Sequence, residues 1–493
     1  MDTDVLIVGA GPVGLFLANE CARRGLRWRL VEANAEQSSQ SKALAIFPRT
    51  LEILDMAGLV EPFLRIANRV TSVAVFAHGH AIARVRFTPG ETPYPFIAMV
   101  PQNVTERLLA EHLQLEGGTI EYNTSFVTAV QRDDRVEVTL DHRGQRETLT
   151  AAFVIGCDGA HSTVRHLLNL PFEGATYDGL FMLADIDTND TLPADELQLC
   201  PSELGPAAIF PMSASRRRVV AMVDRANGKT PSLELVRQIL RQRAPSAIEA
   251  RALHWSGYFH VHHRQVADMR VGRIFIAGDA AHIHSPFGGQ GMNTGLHDVW
   301  NLAWKLDLIL DGHGNDRLLQ SYNAERRPVI AQVIKTTHLL TKAMGTPNRF
   351  AQALRDTVIP LVSRLAPFQH AFVDRLSELG VAYRKSPIVD GPATRYFDDS
   401  LRGGRGIRSR FLLFVDEESD RLVREAAQRL VAAFPGVLEL RTRRDTDITL
   451  IRPDGYVAYS VHGGGPIAAL DRVRTLLERQ TVPEVAHLAP APL

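Results

Sequence analysis

The sequence predicts an α/β fold in three parts: a Rossmann-like domain, an antiparallel β-sheet inserted into it, and a C-terminal β-α-β-β-α unit. Three observations lead there. The chain opens with a strand, a glycine-rich turn and a helix. A strand running straight into a turn returns near residues 153 and 274. The stretches between are short, alternating and β-rich.

At 493 residues the chain is long for one core, so two to four domains are expected. The 55 Lys and Arg balance 55 Asp and Glu, which argues against a polyanion surface and against nucleic acid as partner. Cys21, Cys157 and Cys200 stand far apart without any CxxC. That points to a reducing, cytoplasmic setting and away from disulfides, thiol redox chemistry or a zinc cluster. No apolar run approaches the ~18 residues of a membrane span. The first strand begins too close to Met1 to leave room for a signal peptide.

The first element is "VLIVGAGPVGLFLANECARRGLRWRLVEA". A β-branched run, Val5 to Val8, leads into Gly9, Gly11 and Gly14, a G-x-G-x-x-G that opens a helix ending near Gly25. "WRLVE" is the second strand and ends in Glu32. Gly9 makes the tight turn, Gly11 lets a pyrophosphate approach the backbone, and Gly14 lets helix and strand pack closely. The helix N-terminus adds free N–H groups and a positive dipole end. Glu32 stands where an acid accepts from a ribose hydroxyl. Such a unit binds a dinucleotide, and the motif alone does not separate NAD from FAD.

Two further units follow. "AAFVIGCDGAHSTVRHLL" runs a buried strand into Asp158-Gly159 and a helix carrying Arg165, and "RIFIAGDAAH" ends on Gly278-Asp279. Either alone is an ordinary strand-end turn. Together with "GAGPVG", "GDAAHIHSPFGGQGMNTGLHDVWNLAWKL" and "SYNAERRP", in this order and rough spacing, they resemble the FAD-dependent aromatic hydroxylases, single-component flavin monooxygenases of the para-hydroxybenzoate hydroxylase fold. The motifs span about residues 1 to 345, and the C-terminal segment follows more loosely. The subgroup it resembles most hydroxylates phenols or polyketide aromatics.

The resemblance implies FAD as cofactor, NADH or NADPH as a transient reductant, and O2 adding at the flavin C4a. It implies that Asp279 bonds the ribitol and diphosphate region. The loop from Pro286 to Asn293 passes along the isoalloxazine ring, with N–H groups of Gly291, Met292 and Asn293 toward the edge that gains negative charge on reduction. Lys42 stands where an arginine is usual beside the diphosphate, Gln102 where a glutamine meets the adenosine side, and His297 where a glutamine is usual. Asp158, with Gly159, is implied to serve both FAD and the nicotinamide cofactor, and Arg165 follows it. His282 and His284 beside the loop are candidates for proton traffic, and Pro286 is counted with them. A structural role is the competing reading for both histidines.

The resemblance also sets domain limits: FAD-binding residues 1–70, 98–176 and 268–390, and a substrate-binding sheet from 71–97 and 177–267. Tyr94, Met182, Phe210 and Met222 are candidates to line an apolar pocket, with ordinary core packing as the competing reading for each. His254, His260, His262 and His263 invite a metal reading. On a strand, though, His260 and His262 share a face that His263 leaves, and no acid or thiol joins them, so no metal is expected. Residues 391–493 resemble a thioredoxin-like domain that lacks cysteine in this chain, read as a structural or homodimer contact. A small aromatic is the expected partner. The alternatives are Baeyer–Villiger or other flavin chemistry on the same fold, and a flavin-binding partner protein without turnover.

Overall fold

The computed structural model describes residues 1–38, 41–77, 79–189, 191–226, 228–245, 248–285, 288–344, 365–404, 409–444, 448–461 and 465–482. Its first sheet follows from the β-branched runs. Strands Ile274–Ile276, Gln145–Gly156, Thr3–Val8, Trp28–Val31 and Ile120–Glu121 lie side by side in that order, each pair parallel. Val5, Leu6 and Ile7 are fully buried, as expected for strands covered on both faces. The register decides where the motifs go. Val8 pairs with Val31 and Gly156, and Gly156 pairs with Ile276. Three turns separated by up to 270 residues therefore leave the sheet at one edge, the carboxyl ends of its strands. Ligands of open α/β sheets bind at that edge.

The second sheet has eight strands, in the order His282–Ile283, Ala250–Val266, Phe172–Thr188, Arg216–Val223, Ala207–Pro211, Glu196–Cys200, Ser72–Ala77 and His80–Arg86. All its pairings are antiparallel except that of Glu196–Cys200 with Ser72–Ala77. One face buries Met182, Ala184 and Ala221 against the Leu233–Arg243 helix, and the other buries Phe181, Leu183 and Val220 toward the first domain. The two sheets meet at 278–283, where the turn after Ile276 passes directly into the edge strand His282–Ile283.

The C-terminal unit is a four-stranded sheet, Leu438–Arg443, Phe411–Asp416, Ile448–Ile451 and Val457–Val461, with helices Arg421–Ala433 and Pro466–Glu478. Its core includes Trp304 and Leu308, which belong to the Gly291–Leu310 helix of the first domain. The turn between its last two strands is buried against that same helix. Trp300 Nε1 donates to the Asp454 carbonyl at 3.0 Å, and Arg452 reaches Glu325 Oε2 at 2.9 Å and Asp454 Oδ2 at 2.6 Å. Lys305 Nζ joins at 2.8 Å from Glu325 Oε2. Among the described residues no helix is long and apolar enough to cross a membrane.

Candidate functional site

The carboxyl edge of the parallel sheet is built for a ligand with phosphates and hydroxyls. Gly9 takes φ +101°, and a Cβ there would stand 2.6 Å from the Cys157 carbonyl oxygen. A Cβ on Gly14 would lie 1.9 Å from the Gly9 carbonyl oxygen, so helix and turn touch only because both are glycine. Gly11 and Gly159 differ, since a Cβ on either would meet nothing within 4 Å. The Pro12–Arg24 helix takes up its first N–H at Leu15, which leaves Val13 and Gly14 as donors facing outward.

Asp279 lies deep in the fold yet keeps an exposed side chain, and no described residue donates to its carboxylate. Burial raises its carboxyl, while His282 and Lys42 pull it the other way. An acid set in a cleft without a protein donor, beside two open glycines and unpaired helix N–H groups, fits the hydroxyls and diphosphate of FAD. Lys42 is exposed and within charge range of Asp279.

Other predicted residues brace this edge. Glu32 accepts from Ala10 N–H at 2.8 Å and from Asn34 N–H at 2.9 Å, so it supports the glycine turn as well as closing the second strand. Gln102 accepts from Ala43 N–H at 3.1 Å and donates to Glu106 at 3.0 Å. Asp158 accepts from Ser162 Oγ at 2.5 Å and from Val164 N–H at 3.1 Å, capping the short helix after it. Arg165 is buried over the Phe172 ring. It donates to Ala280 O at 2.9 Å and Ala160 O at 2.8 Å, which makes it a strut between the Asp158 and Asp279 turns.

The Gly291–Leu310 helix starts at this edge. Among the described residues Thr294 N–H is its first internal donor, which leaves the N–H groups of Gly291, Met292 and Asn293 without a described acceptor at a positive dipole end. Asn293 fixes their direction: its side chain accepts from Phe47 N–H at 3.0 Å and donates to Ala45 O at 2.8 Å. Leu296, Val299, Trp300, Ala303 and Leu306 all enter the core. Pro286 lies outside the described residues.

His282 is buried, with Nε2 2.7 Å from Asp298 Oδ2. Asp298 was not picked out from sequence, yet it organises this corner. It also takes Gly278 N–H at 3.1 Å and Arg326 Nε at 2.7 Å. Burial works to raise its carboxyl, but His282 and Arg326 outweigh that and hold it low. His284 leans toward Gly291. Burial pushes its imidazole down to about 4, so it is neutral over most of the pH range. Arg218 was also missed. It reaches from the second sheet to the carbonyls of Lys42 at 3.1 Å and Ala43 at 3.0 Å while paired with Asp185.

A narrow apolar cleft of about 30 Å³ opens beside the Gly288–Gly289 turn. Phe47, Val73, Ile97, Leu197, Leu199 and Phe210 line one side, and Leu340, Phe372 and Leu376 the other. None of the described lining residues carries a polar side-chain atom. Of the four predicted pocket residues, Phe210 lines the cleft. Met182 does not, because it faces the Leu233–Arg243 helix while its neighbours Phe181 and Leu183 face the cleft side. Met222 sits on the cleft side of the sheet but fills the notch between Gly179 and Gly205. Tyr94 packs in the first domain's core, its hydroxyl 2.6 Å from Asp55. A larger groove, about 410 Å³, borders Arg132, Arg270 and Arg273. It is a polar groove lined by none of the candidate site residues, and its Arg132 and Arg270 are already paired with acids.

The comparisons agree with this geometry. A model of the FAD binding domain matches residues 2–337. The 6-methylpretetramide 4-monooxygenase of Streptomyces rimosus is 31% identical over 500 residues, covering 99% of this chain and 85% of that protein. A rifampicin monooxygenase of Streptomyces venezuelae is 32% identical over 471 residues, covering 93% and 95%. The solved anhydrotetracycline hydroxylase of Streptomyces rimosus superposes with a TM-score of 0.75 at 29% identity, covering 94% of this chain and 96% of the other. The chain belongs to this FAD-binding family. Within it, the protein is a flavin-dependent monooxygenase of the aromatic hydroxylase type.

Proposed function

We propose that this monooxygenase hydroxylates an apolar, electron-rich aromatic substrate of the phenolic or polyketide type, with NADH or NADPH as reductant. The observation that carries the reading is the cleft whose described lining side chains are all apolar, set against the glycine turn at the cofactor edge. Relatives named for tetracycline-type and rifampicin substrates support the substrate class.

When bound, FAD would take reducing equivalents from the nicotinamide and activate O2 for insertion into the ring. The protein's part is to bind, orient and exclude water. Gly11, Gly159 and the start of the Pro12–Arg24 helix would receive the diphosphate, and Asp279 the cofactor's hydroxyls. The N–H groups of Gly291, Met292 and Asn293 would stabilise an anionic flavin edge, since preorganised dipoles need no reorganisation. Phe47, Phe210 and the leucines around them would hold the ring and keep water from the reacting atoms.

We further propose the three-domain division above, which the two eight-stranded sheets and the four-stranded sheet support, and a structural role for the C-terminal unit, with a homodimer contact as its second duty. A cytoplasmic location is supported by three cysteines that are all buried and unpaired. The test is NADH and NADPH oxidation by the purified yellow protein with phenols and polycyclic aromatics, counting hydroxylated product and hydrogen peroxide together. Product matching the nicotinamide consumed is expected for at least one ring system. Oxygen inserted beside a carbonyl instead would overturn the hydroxylase reading.

A further inference from the structure

Behind the apolar cleft its walls converge on two ionisable groups that the scheme above leaves idle. Phe47 lines the cleft and leads into the Pro48–Met56 helix, where Thr50 Oγ1 stands 2.9 Å from His297 Nε2. Leu376 lines it from the Ala366–Ser377 helix, and two residues on, Glu378 brings its carboxyl 3.5 Å from the same nitrogen.

Glu378 is 5% exposed, and neither carboxyl oxygen has a hydrogen-bond partner. Its φ of +60° puts a non-glycine side chain in the left-handed region, at a cost that glycine would avoid. A buried, unsatisfied and strained polar group calls for a reason, because each of these features costs stability.

The stoichiometry of hydroxylation supplies one. NAD(P)H, H⁺, O2 and ArH become NAD(P)⁺, H2O and ArOH, so each turnover takes up one proton. None of the described side chains lining the cleft can deliver it. We infer that Glu378 holds this proton behind the cleft and yields it to His297 Nε2, from which the Thr50 hydroxyl, hydrogen-bonded to the same nitrogen, passes it toward the oxygen released as water. The carboxyl is then reprotonated from solvent.

The charges around the pair agree. Burial pushes the Glu378 carboxyl up to about 8, with Arg326 pulling partly against it. Burial also pushes His297 well below its ordinary value, helped by Arg326 and Arg49 and opposed by Asp298. At neutral pH the acid is therefore protonated and the imidazole is free to accept. Arg326 is itself committed to Asp298 and the Tyr383 hydroxyl. His284, beside the start of the Gly291–Leu310 helix, is neutral at that pH and so has no cationic proton to give.

This inference rests on the hydroxylation reading, and its test is chosen to fail separately. Infrared difference spectra of the FAD-loaded enzyme, wild type minus Glu378→Gln, are expected to show a protonated carboxyl band at pH 7 that titrates away near pH 8. No such band at pH 7 would overturn the inference. The hydroxylation rate of the wild type should fall about tenfold per pH unit above that point. Both Glu378→Gln and His297→Gln should lose about 100-fold with a flat profile, the scale of general acid–base catalysis. Full rate with the wild-type profile in both variants would also overturn it. Should Glu378→Gln fail to fold, the wild-type pH titration and His297→Gln, which keeps the band and loses the rate, still decide. The band needs no turnover, so absence of product from the wild type would condemn the substrate reading alone.

Discussion

Two buried clusters of charge share one stripe of the Gly291–Leu310 helix. His297, Asn301 and Lys305 follow at intervals of four and so face the same way. At the far end every group is answered. Glu325 takes Arg452, Lys305, Asn301 and the Ser386 hydroxyl, and burial, which alone would raise its carboxyl, is outweighed by the two cations. At the near end, by the cofactor edge, Glu378 has a single imidazole at 3.5 Å and no hydrogen bond. The same contrast separates Asp454, locked in place, from Asp279, open and unbonded. Charge that is fully satisfied by the protein fixes the fold. Charge left over is available to a ligand or a proton.

The largest effect should come from breaking the satisfied end. Arg452→Met leaves Glu325 and Asp454 buried without their main cation and should cost about 3–5 kcal/mol in urea unfolding. An unchanged midpoint would mean that the C-terminal turn does not anchor the helix. Asp279→Ala removes a group with no protein donor, so the apoprotein should melt as the wild type does. Flavin affinity should fall by about 1.5–3 kcal/mol, read from the flavin-to-protein absorbance ratio on dilution. Full flavin retention would sink the placement of the cofactor.

The cleft offers a smaller, two-sided test. Phe210→Leu should raise KM by several-fold, within about 1.5 kcal/mol. Met182→Leu, one layer behind, should leave KM unaltered. Equal effects would show that the cleft is not where the substrate rests. Smallest is the pH dependence from His284. Its folded value lies near 4, below an unfolded value near 6.5. Its contribution is therefore present above about 6.5 and lost as pH falls through 4. His284→Gln should recover about 1 kcal/mol relative to wild type at pH 6 and nothing at pH 8. A difference that grows with rising pH would contradict a buried neutral imidazole.

How much could be read from residues alone depended on range. Gly9, Gly11 and Gly14, the turns at Asp158 and Asp279, and the apolar stripe from Leu296 to Leu306 were legible because backbone sterics and helix period act over a few residues. Met182 was placed one residue out, because a strand's period of two gives alternate faces without saying which one meets the cleft. Tyr94 was misread because its hydroxyl partner, Asp55, lies 39 positions away. Asp298 sat inside the quoted motif and was passed over, since nothing local shows that Arg326 and His282 converge on it. Glu378 gave no signal, because its meaning is the lack of a partner.

Sequence by itself determined the element types, the glycine cradle, the cofactor class and the balance of charge, all matters of local geometry and composition. Tertiary structure decided which turns share an edge, which sheet face meets the cleft, and which buried charges are answered. Those depend on the register of parallel strands and on pairs distant in the chain, such as Glu325 with Arg452, 127 residues apart, and Asp55 with Arg402, 347 residues apart. The free energy of such a pair is set by burial and by distance across the fold, and neither is written in the order of the residues.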